Sequence, residues 1–316
     1  MQPFPSLTSK SQVQALLVRH GVAPHKQLGQ NFLFDGNVLR AIAEAAQPDG
    51  KAVLEIGPGM GALTQQLASR AGRVLAVEID HGFLPILQET LSPWGAQQAQ
   101  GRLLPVWEAD TAPPAGLWSA GNRAAVVHGD ILKTSLAQLA AWLGGGAFTV
   151  CANLPYYITT PILMALLVSG LPIERVVVLV QKEMAERLAA SPGSKQYGSL
   201  SLAAQYYAHS RTLFDVSASC FLPAPKVDST VLELLPHPTA LCGQAETQLF
   251  SLIRAGFAMR RKTLANNLRA AFPEAGGARI QEALGRCGLP LDIRAERLGM
   301  QDFMQLSAAF FGDEDA

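Results

Sequence analysis

Four consecutive residues, Asn153-Leu154-Pro155-Tyr156, bring together a carboxamide, a stiffened turn and an aromatic face. The Asn153 side-chain oxygen and a backbone carbonyl near Leu154 offer two acceptors, enough to hold both protons of an exocyclic amine. The lone pair of such an amine is delocalised into its ring, which makes it a poor nucleophile. Two acceptors on its protons would aim that lone pair at an electrophile. Pro155 stiffens the turn, and Tyr156 offers a flat surface for a stacked base, a contact worth about 1–3 kcal/mol. Standing alone, the tetrapeptide would be an ordinary turn followed by core tyrosines, Tyr156 and Tyr157. Its position along the chain gives it a chemical meaning.

That position is set by a glycine loop and an acid upstream. Glu55-Ile56-Gly57-Pro58-Gly59-Met60-Gly61 follows an apolar strand and opens a helix. Glycines let the backbone turn sharply and approach a ligand closely, and a helix N-terminus favours a carboxylate or phosphate. Glu78 ends the next strand, where a carboxylate can accept both hydroxyls of a ribose. Gly57, Gly59 and Ala62 also satisfy the dinucleotide fingerprint, so NAD and S-adenosylmethionine (SAM) compete at this loop. Two details favour SAM. Glu55 lies inside the strand, where dinucleotide folds keep an apolar residue. Asp130, in His128-Gly129-Asp130, follows a third strand and can meet an adenine amino group, although an Asp in such a place is otherwise a cap or turn residue.

The elements that must position these residues alternate. Strands are predicted at Ala52–Ile56, Arg73–Ile79, Ala124–His128, Phe148–Ala152 and Val176–Val180. Helices are predicted at Asn37–Ala46 with Asp35 as cap, Gly61–Arg70, Phe83–Thr90, within Thr134–Leu143, at Pro161–Val168 and at Glu183–Ala190. Thr160 is the expected cap of the helix that begins at Pro161. The first thirty residues read as irregular or weakly helical. This alternation predicts an α/β domain, a Rossmann-like parallel sheet with helices on both faces and ligands at the carboxyl ends of its strands. Ser92–Arg123, with Trp94, Trp107 and Trp118, interrupts the rhythm as an inserted surface excursion. Beyond the Pro236-His237-Pro238 linker the patterns are helical only, at Ala245–Ala258, Lys262–Ala271, Ala278–Cys287 and Asp302–Phe310. Two domains are therefore expected, residues 1–236 and a small all-helical one at 237–316.

Composition narrows the class. With 49% apolar and 16% charged residues the chain can build a sizeable core. Zero net charge gives no general pull toward a polyanion, so any such partner must be met by local clusters. Arg254, Arg260, Arg261, Lys262 and Arg269 share a stretch without acids, and Lys10, Arg19 and Lys26 precede the first acid, Asp35, while Asp313-Glu314-Asp315 offsets part of this in the total. Each cluster reads as a solvated face or as a phosphate-contacting one. Cys151, Cys220, Cys242 and Cys287 show neither metal-ligand spacing nor a disulfide framework, so reduced thiols and a cytoplasmic protein are expected. The N-terminus lacks the apolar core of a signal peptide. The longest apolar stretch, Ile162 to Val180, is broken by Pro172, Glu174 and Arg175 and reads as helix, turn and strand rather than a membrane span.

Over nearly its whole length the chain resembles the KsgA/RsmA family of ribosomal RNA adenine dimethyltransferases. The matching stretches are Leu28-Gly29-Gln30-Asn31-Phe32-Leu33, the Glu55–Thr64 glycine segment, Val77-Glu78-Ile79-Asp80, Gly129-Asp130 and Asn153-Leu154-Pro155-Tyr156. They continue through Val180-Gln181-Lys182-Glu183, Tyr197-Gly198-Ser199-Leu200, Phe221–Ser229, Arg260-Arg261-Lys262-Thr263-Leu264 and Asn266-Asn267-Leu268. The resemblance implies a class I SAM-dependent methyltransferase with a helical C-terminal domain that contacts rRNA. It implies SAM contacts from Asn31, Leu33, Gly57, Glu78, Asp130 and Asn153, with Gly59 in the same loop. It implies a substrate of two adjacent adenosines in a hairpin near the 3′ end of small-subunit (16S) rRNA, within a pre-ribosomal subunit, each methylated twice. Phe221 resembles the aromatic that sandwiches the target base opposite Tyr156.

Transfer from a sulfonium needs no metal and no covalent intermediate, nothing in the chain demands more than a monomer, and no membrane partner is indicated. Ser92–Arg123 is longer than the resemblance implies, and its tryptophans either pack the insert or reach rRNA. Other readings stay open: a large-subunit rRNA methyltransferase of the antibiotic-resistance type, a ribosome-assembly binding factor without chemistry, and an NAD dehydrogenase. The last leaves Asn153–Tyr156 and the basic stretch unexplained.

Overall fold

Short apolar segments between amphipathic ones can bury both faces only inside a covered sheet. The computed structural model shows how, and it describes residues 7–25, 29–98, 101–118 and 121–312. Lys26, Leu28 and the acidic tail Asp313-Glu314-Asp315 lie outside the described residues.

The chain opens with helix α1 (Lys10–His20), where irregular or weakly helical structure was expected. Ser9 caps it by accepting the Gln12 N–H, Gly21 ends it in the left-handed conformation, and Val13, Leu16 and Leu17 bury one face. That apolar stripe is narrow, and α1 is held from outside as well: Arg19 and His20 both reach Glu89, the His20 contact at 2.7 Å. Strand β1 (Phe32–Leu33) leads into α2 (Gly36–Ala45), where the Asp35 carboxylate accepts the Asn37 and Val38 N–H groups as anticipated. Then follow β2 (Ala52–Ile56), α3 (Ala62–Ala68), β3 (Arg73–Glu78) and α4 (Leu84–Leu91). A hairpin of β4 (Ala96–Gln98) and β5 (Gly101–Leu103) precedes β6 (Val106–Glu108). The alternation resumes with β7 (Ala124–His128), α5 (Leu136–Trp142), β8 (Phe148–Asn153), α6 (Thr159–Leu167), β9 (Ile173–Gln181) and α7 (Lys182–Leu188). After α8 (Ser199–Tyr207) come β10 (Ala208–Val216), β11 (Phe221–Leu222) and β12 (Ser229–Pro236). The chain ends in α9 (Gly243–Gly256), α10 (Leu264–Ala271), α11 (Gly276–Arg286) and α12 (Met300–Phe311).

The main sheet has the order β10-β12-β9-β8-β2-β3-β7-β6. All neighbours from β9 to β6 are parallel, and β12 runs antiparallel to β9. The central strands are buried along their length, consistent with their apolar runs.

Two expectations are corrected here. Thr160 does not cap α6. The Thr159 hydroxyl and the Ile158 N–H both bind the Pro155 carbonyl, so the chain is already turning one residue earlier, and Thr160 faces the Met184 sulfur. Ser92–Arg123 is not merely a surface excursion. β6 extends the sheet in parallel register with β7, and Leu104, Trp107 and Leu117 are buried. Trp107 meets Trp142 edge-on, and the Trp118 ring N–H donates to the Trp142 carbonyl at 2.6 Å, so both tryptophans pack against the fold.

The chain divides into two compact units, Met1–Ala185 with Arg211–Pro236, and Glu186–Ser210 with His237–Ala316. Residues 186–210, expected within the sheet domain, group instead with the helical unit, which takes in the first three residues of β10. The core of the helical unit is built from Leu249, Leu252, Ile253, Leu264, Leu268, Leu284 and Phe303. Buried Asn267 closes its α9–α10 turn by donating to the Gly256 and Met259 carbonyls. Thr263 accepts the Asn266 N–H, which is why α10 starts at Leu264. No helix among the described residues is long and apolar enough to cross a membrane.

Away from the strand ends, an ion pair is buried in the sheet. Glu233 on β12 is 2% exposed and pairs with Arg175 on β9 and with Arg211, the latter at 2.8 Å. Removing one partner of a buried pair strands the other charge. Glu233→Ala is expected to destabilise the protein toward the lower end of the ~3–5 kcal/mol typical of such losses, because Arg211 can turn to solvent. Urea titration of variant and wild type measures the difference.

Candidate active site

The carboxyl ends of β2, β3 and β8 meet around one cavity. Its walls include Asn31, Leu33, Glu55, Gly57, Gly59, Glu78 and the Asn153–Tyr156 turn. The alternation predicted the glycine loop, Glu78 and Asn153 at strand ends, and the parallel register of β2 with both β3 and β8 brings those strand ends together; Asn31 and Leu33 were implied by the resemblance alone.

The loop after β2 depends on its glycines. Gly59 has φ 55°, and a Cβ there would lie 3.2 Å from the Phe32 ring, so a side chain would strain both backbone and packing. The Gly59 N–H donates to Glu78 Oε2 at 2.9 Å, and the Asp80 N–H donates to Glu78 Oε1 at 2.8 Å. Each oxygen keeps a further lone pair for a ligand hydroxyl. Burial pushes the Glu78 carboxyl up to about 7, against the pull of those N–H groups. Glu55 is deeper, 1% exposed, and Oε2 has no hydrogen-bond partner among the described residues. Burial raises it to about 8; the nearby Thr64 hydroxyl opposes the rise and the Glu78 charge adds to it. A buried carboxyl with one oxygen unpartnered, lining a cavity, suits a ligand that brings a cation or a donor.

The opposite wall is the tetrapeptide. Asn153 Nδ2 donates to the Asn31 carbonyl at 3.1 Å, and only the nitrogen end of the amide can make that bond. Its Oδ1 is thereby left as an acceptor, beside the Leu154 backbone. Leu154 is buried and its N–H donates to Leu179. The Tyr156 hydroxyl is 2.9 Å from Ser229 Oγ at the start of β12, which fixes the ring from its far end, and burial raises its pKa.

Two expected site residues lie outside the cavity. Asp130 Oδ1 accepts the Leu132 N–H at 3.0 Å, and Oδ2 faces Lys133 at 3.6 Å, the turn role that such an Asp commonly plays. Phe221 pairs with Leu33 across the β1–β11 ladder and is 3% exposed within the core. Its ring is covered by core packing in this structure. Residues that sequence reasoning missed complete the cavity's surroundings. Gln30 binds both the His25 N–H and Asp80, which ties the N-terminal segment to the end of β3. Tyr157, 56% exposed, stands at the rim. Gln30 and Asp80 lay inside quoted motifs, but their meeting is a fact of tertiary structure.

The basic residues belong to the helical unit. Arg254, Arg261 and Lys262 are exposed, Arg260 is paired with Glu296 at 2.9 Å, and Arg269 donates to Asn266. Among the described residues no three His, Cys, Asp or Glu side chains gather as a metal site. The four cysteines are free, and burial raises the Cys151 thiol well above its usual range.

The fold has solved relatives. A dimethyladenosine transferase from Plasmodium falciparum matches with a TM-score of 0.68 at 24% identity, covering 87% of this chain and 95% of that one. The 23S rRNA methyltransferase ErmE matches with a TM-score of 0.63 at 24% identity, covering 89% and 99%. The architecture is that of a class I SAM-dependent methyltransferase. A family model described as ribosomal RNA adenine dimethylase matches residues 22–100 and 115–307. The ribosomal RNA small subunit methyltransferase A of Shouchella clausii is 41% identical over 313 residues, 96% of each chain. Its namesake in Geobacillus kaustophilus is 42% identical over 316 residues, 97% of each. The chain belongs to the ribosomal RNA adenine dimethylase family. The residues left unmatched in its middle, 101–114, fall within the Ser92–Arg123 segment.

The buried acids predict a pH dependence. Both carboxyls stay protonated in the folded protein to about 7 and 8, whereas in the unfolded chain they ionise near 4.5. Between those values the folded state binds more protons, so stability falls as pH rises, by up to about 1.4 kcal/mol per pH unit per group. Glu55→Gln is expected to flatten the decline between pH 5 and 8, read by urea unfolding across that range.

Proposed function

We propose that this protein dimethylates the N6 amines of two adjacent adenosines in a hairpin near the 3′ end of small-subunit (16S) rRNA, within a pre-ribosomal subunit. SAM is the donor and S-adenosylhomocysteine the product. The observation that carries the reading is the Asn153 amide, turned by Asn31 so that its oxygen is the free end, in the same cavity as Glu55 and Glu78. The named relatives act on small-subunit rRNA, and their similarity spans nearly the full chain.

When bound, SAM supplies a methyl group already activated on a sulfonium, so displacement needs no metal ion. Glu78 holds the ribose hydroxyls, and Glu55 meets the cationic end of the donor. Asp130, two residues beyond β7, meets the adenine amino group once Oδ2 leaves Lys133. Asn153 Oδ1 and the Leu154 carbonyl accept the two protons of the target amine and aim its lone pair. The Tyr156 ring, fixed through Ser229, supports the extruded base and offsets an unstacking cost of about a few kcal/mol. Positioning of this kind can supply roughly 7–11 kcal/mol of the barrier. Arg254, Arg261 and Lys262 meet phosphates with salt-sensitive affinity, and Arg260 and Arg269 join them by leaving their present partners. The protein acts as a monomer in the cytoplasm, where its substrate is assembled.

Radiolabelled methyl transfer to small subunits lacking the modification, with large subunits in parallel, tests the reading. Label on two adjacent adenosines near the small-subunit 3′ end is expected, and label confined to large-subunit RNA would sink it. Asn153→Ala should abolish transfer while subunit binding survives; equal loss of both would make Asn153 structural. Glu78→Ala should weaken SAM binding severely, and an unchanged titration would remove Glu78 from the cofactor site.

A further inference from the structure

β6 and the turn after it lie among the residues that the family model leaves unmatched, 101–114. They nevertheless pack against the carboxyl end of β7, where sheets of this kind hold ligands. Glu108 is in register with His128, and the Ala109 N–H donates to the His128 carbonyl at 2.9 Å. A Cβ on Gly129 would lie 2.6 Å from Ala109 Cβ, so only a glycine lets this segment come so close.

The His128 ring sits between two acceptors. Nδ1 is 2.8 Å from Glu108 Oε2, and Nε2 is 3.3 Å from the carbonyl of Ile79. The His81 ring meets it edge-on, with centroids 5.4 Å apart. Ile79 lines the cavity and directly follows Glu78, whereas His128 and Glu108 do not reach the cavity. A carboxylate on one imidazole nitrogen fixes the tautomer and the orientation of the ring. A hydrogen bond from Nδ1–H to Glu108 sets the plane of the ring, which points Nε2 at the Ile79 carbonyl.

We infer that Glu108 is a positioning residue for the cofactor cavity: through His128 it fixes the Ile79 backbone, and with it the wall beside Glu78. The inserted segment thereby takes part in holding the ligand, although none of its own atoms lines the cavity. The inference rests on reading the cavity as the SAM site. The Glu108 carboxylate is more than half exposed, and ion pairs of that kind contribute little to stability. Its removal is therefore expected to register on the ligand and not on unfolding.

Calorimetric titration of the full chain with SAM tests this for wild type, Glu108→Ala, His128→Ala and the double variant. Glu108→Ala should weaken SAM binding about three- to tenfold, the net effect of one hydrogen bond. The same substitution in the His128→Ala background should add nothing. The KM for unmodified small subunits and the urea midpoint should stay at wild-type values, a split that a loosened fold would not produce. Unchanged SAM affinity in Glu108→Ala, additive losses in the double variant, or a parallel drop in the urea midpoint would each overturn the inference. If the wild-type protein itself fails to bind SAM, the SAM reading of the cavity falls and the inference falls with it.

Discussion

A single hydrogen bond, from the Asn153 side-chain amide to the Asn31 carbonyl, decides which end of that amide faces the cavity. An amide offers a donor end and an acceptor end, and a rotation about one bond exchanges them. Much of the structure around the site serves to keep the Asn31 carbonyl in place. Asn31 donates back to Gly29, Gln30 is bound to Asp80, and Phe32 and Leu33 pair with β11. Phe32 also packs against Phe83 with centroids 5.2 Å apart, below the glycine loop. The polarity of the Asn153 side chain thus depends on a segment far away in sequence and on a two-strand ladder.

The buried acids impose a second constraint. Two carboxyls share a low-dielectric cavity; burial makes both harder to ionise, and the Glu78 charge adds to the rise at Glu55. The fold tolerates them because backbone N–H groups bind Glu78 and because both can remain neutral. This is a resting arrangement suited to a ligand that carries positive charge, since the ligand supplies what the protein leaves uncompensated.

Much of this was legible in the sequence. Apolar runs marked β2, β3, β7 and β8 to within a residue, whereas β9 starts three residues before its predicted run, and the glycine loop, Glu78 and Asn153 were placed at strand ends by alternation alone. Other features depend on contacts between distant segments and leave weak local signals. α1 has a stripe of only three apolar residues and is steadied by Glu89 from another helix. β6 is three residues long, and only pairing with β7 makes it a strand. Phe221 and Asp130 were identified by residue type and motif, but type does not say whether a ring is covered or a carboxylate already engaged. The Gln30–Asp80 bond joins two motifs that are each readable, while their meeting is not.

The threading of residues 186–210 into the helical unit bears on how such proteins can be recombined. Within that unit, α8 sets Tyr206 and Tyr207 against Phe250 of α9, with ring centroids 5.2 and 5.6 Å apart, and the Tyr197 hydroxyl reaches the Leu298 carbonyl. A chain ending at Pro236 would keep α8 and lose the α9 and Leu298 partners of its tyrosine segment. The portable module is accordingly two separated stretches of sequence. A chimera spliced only at the proline-flanked linker would present three tyrosines to water, whereas one that exchanges both stretches together would preserve their cover.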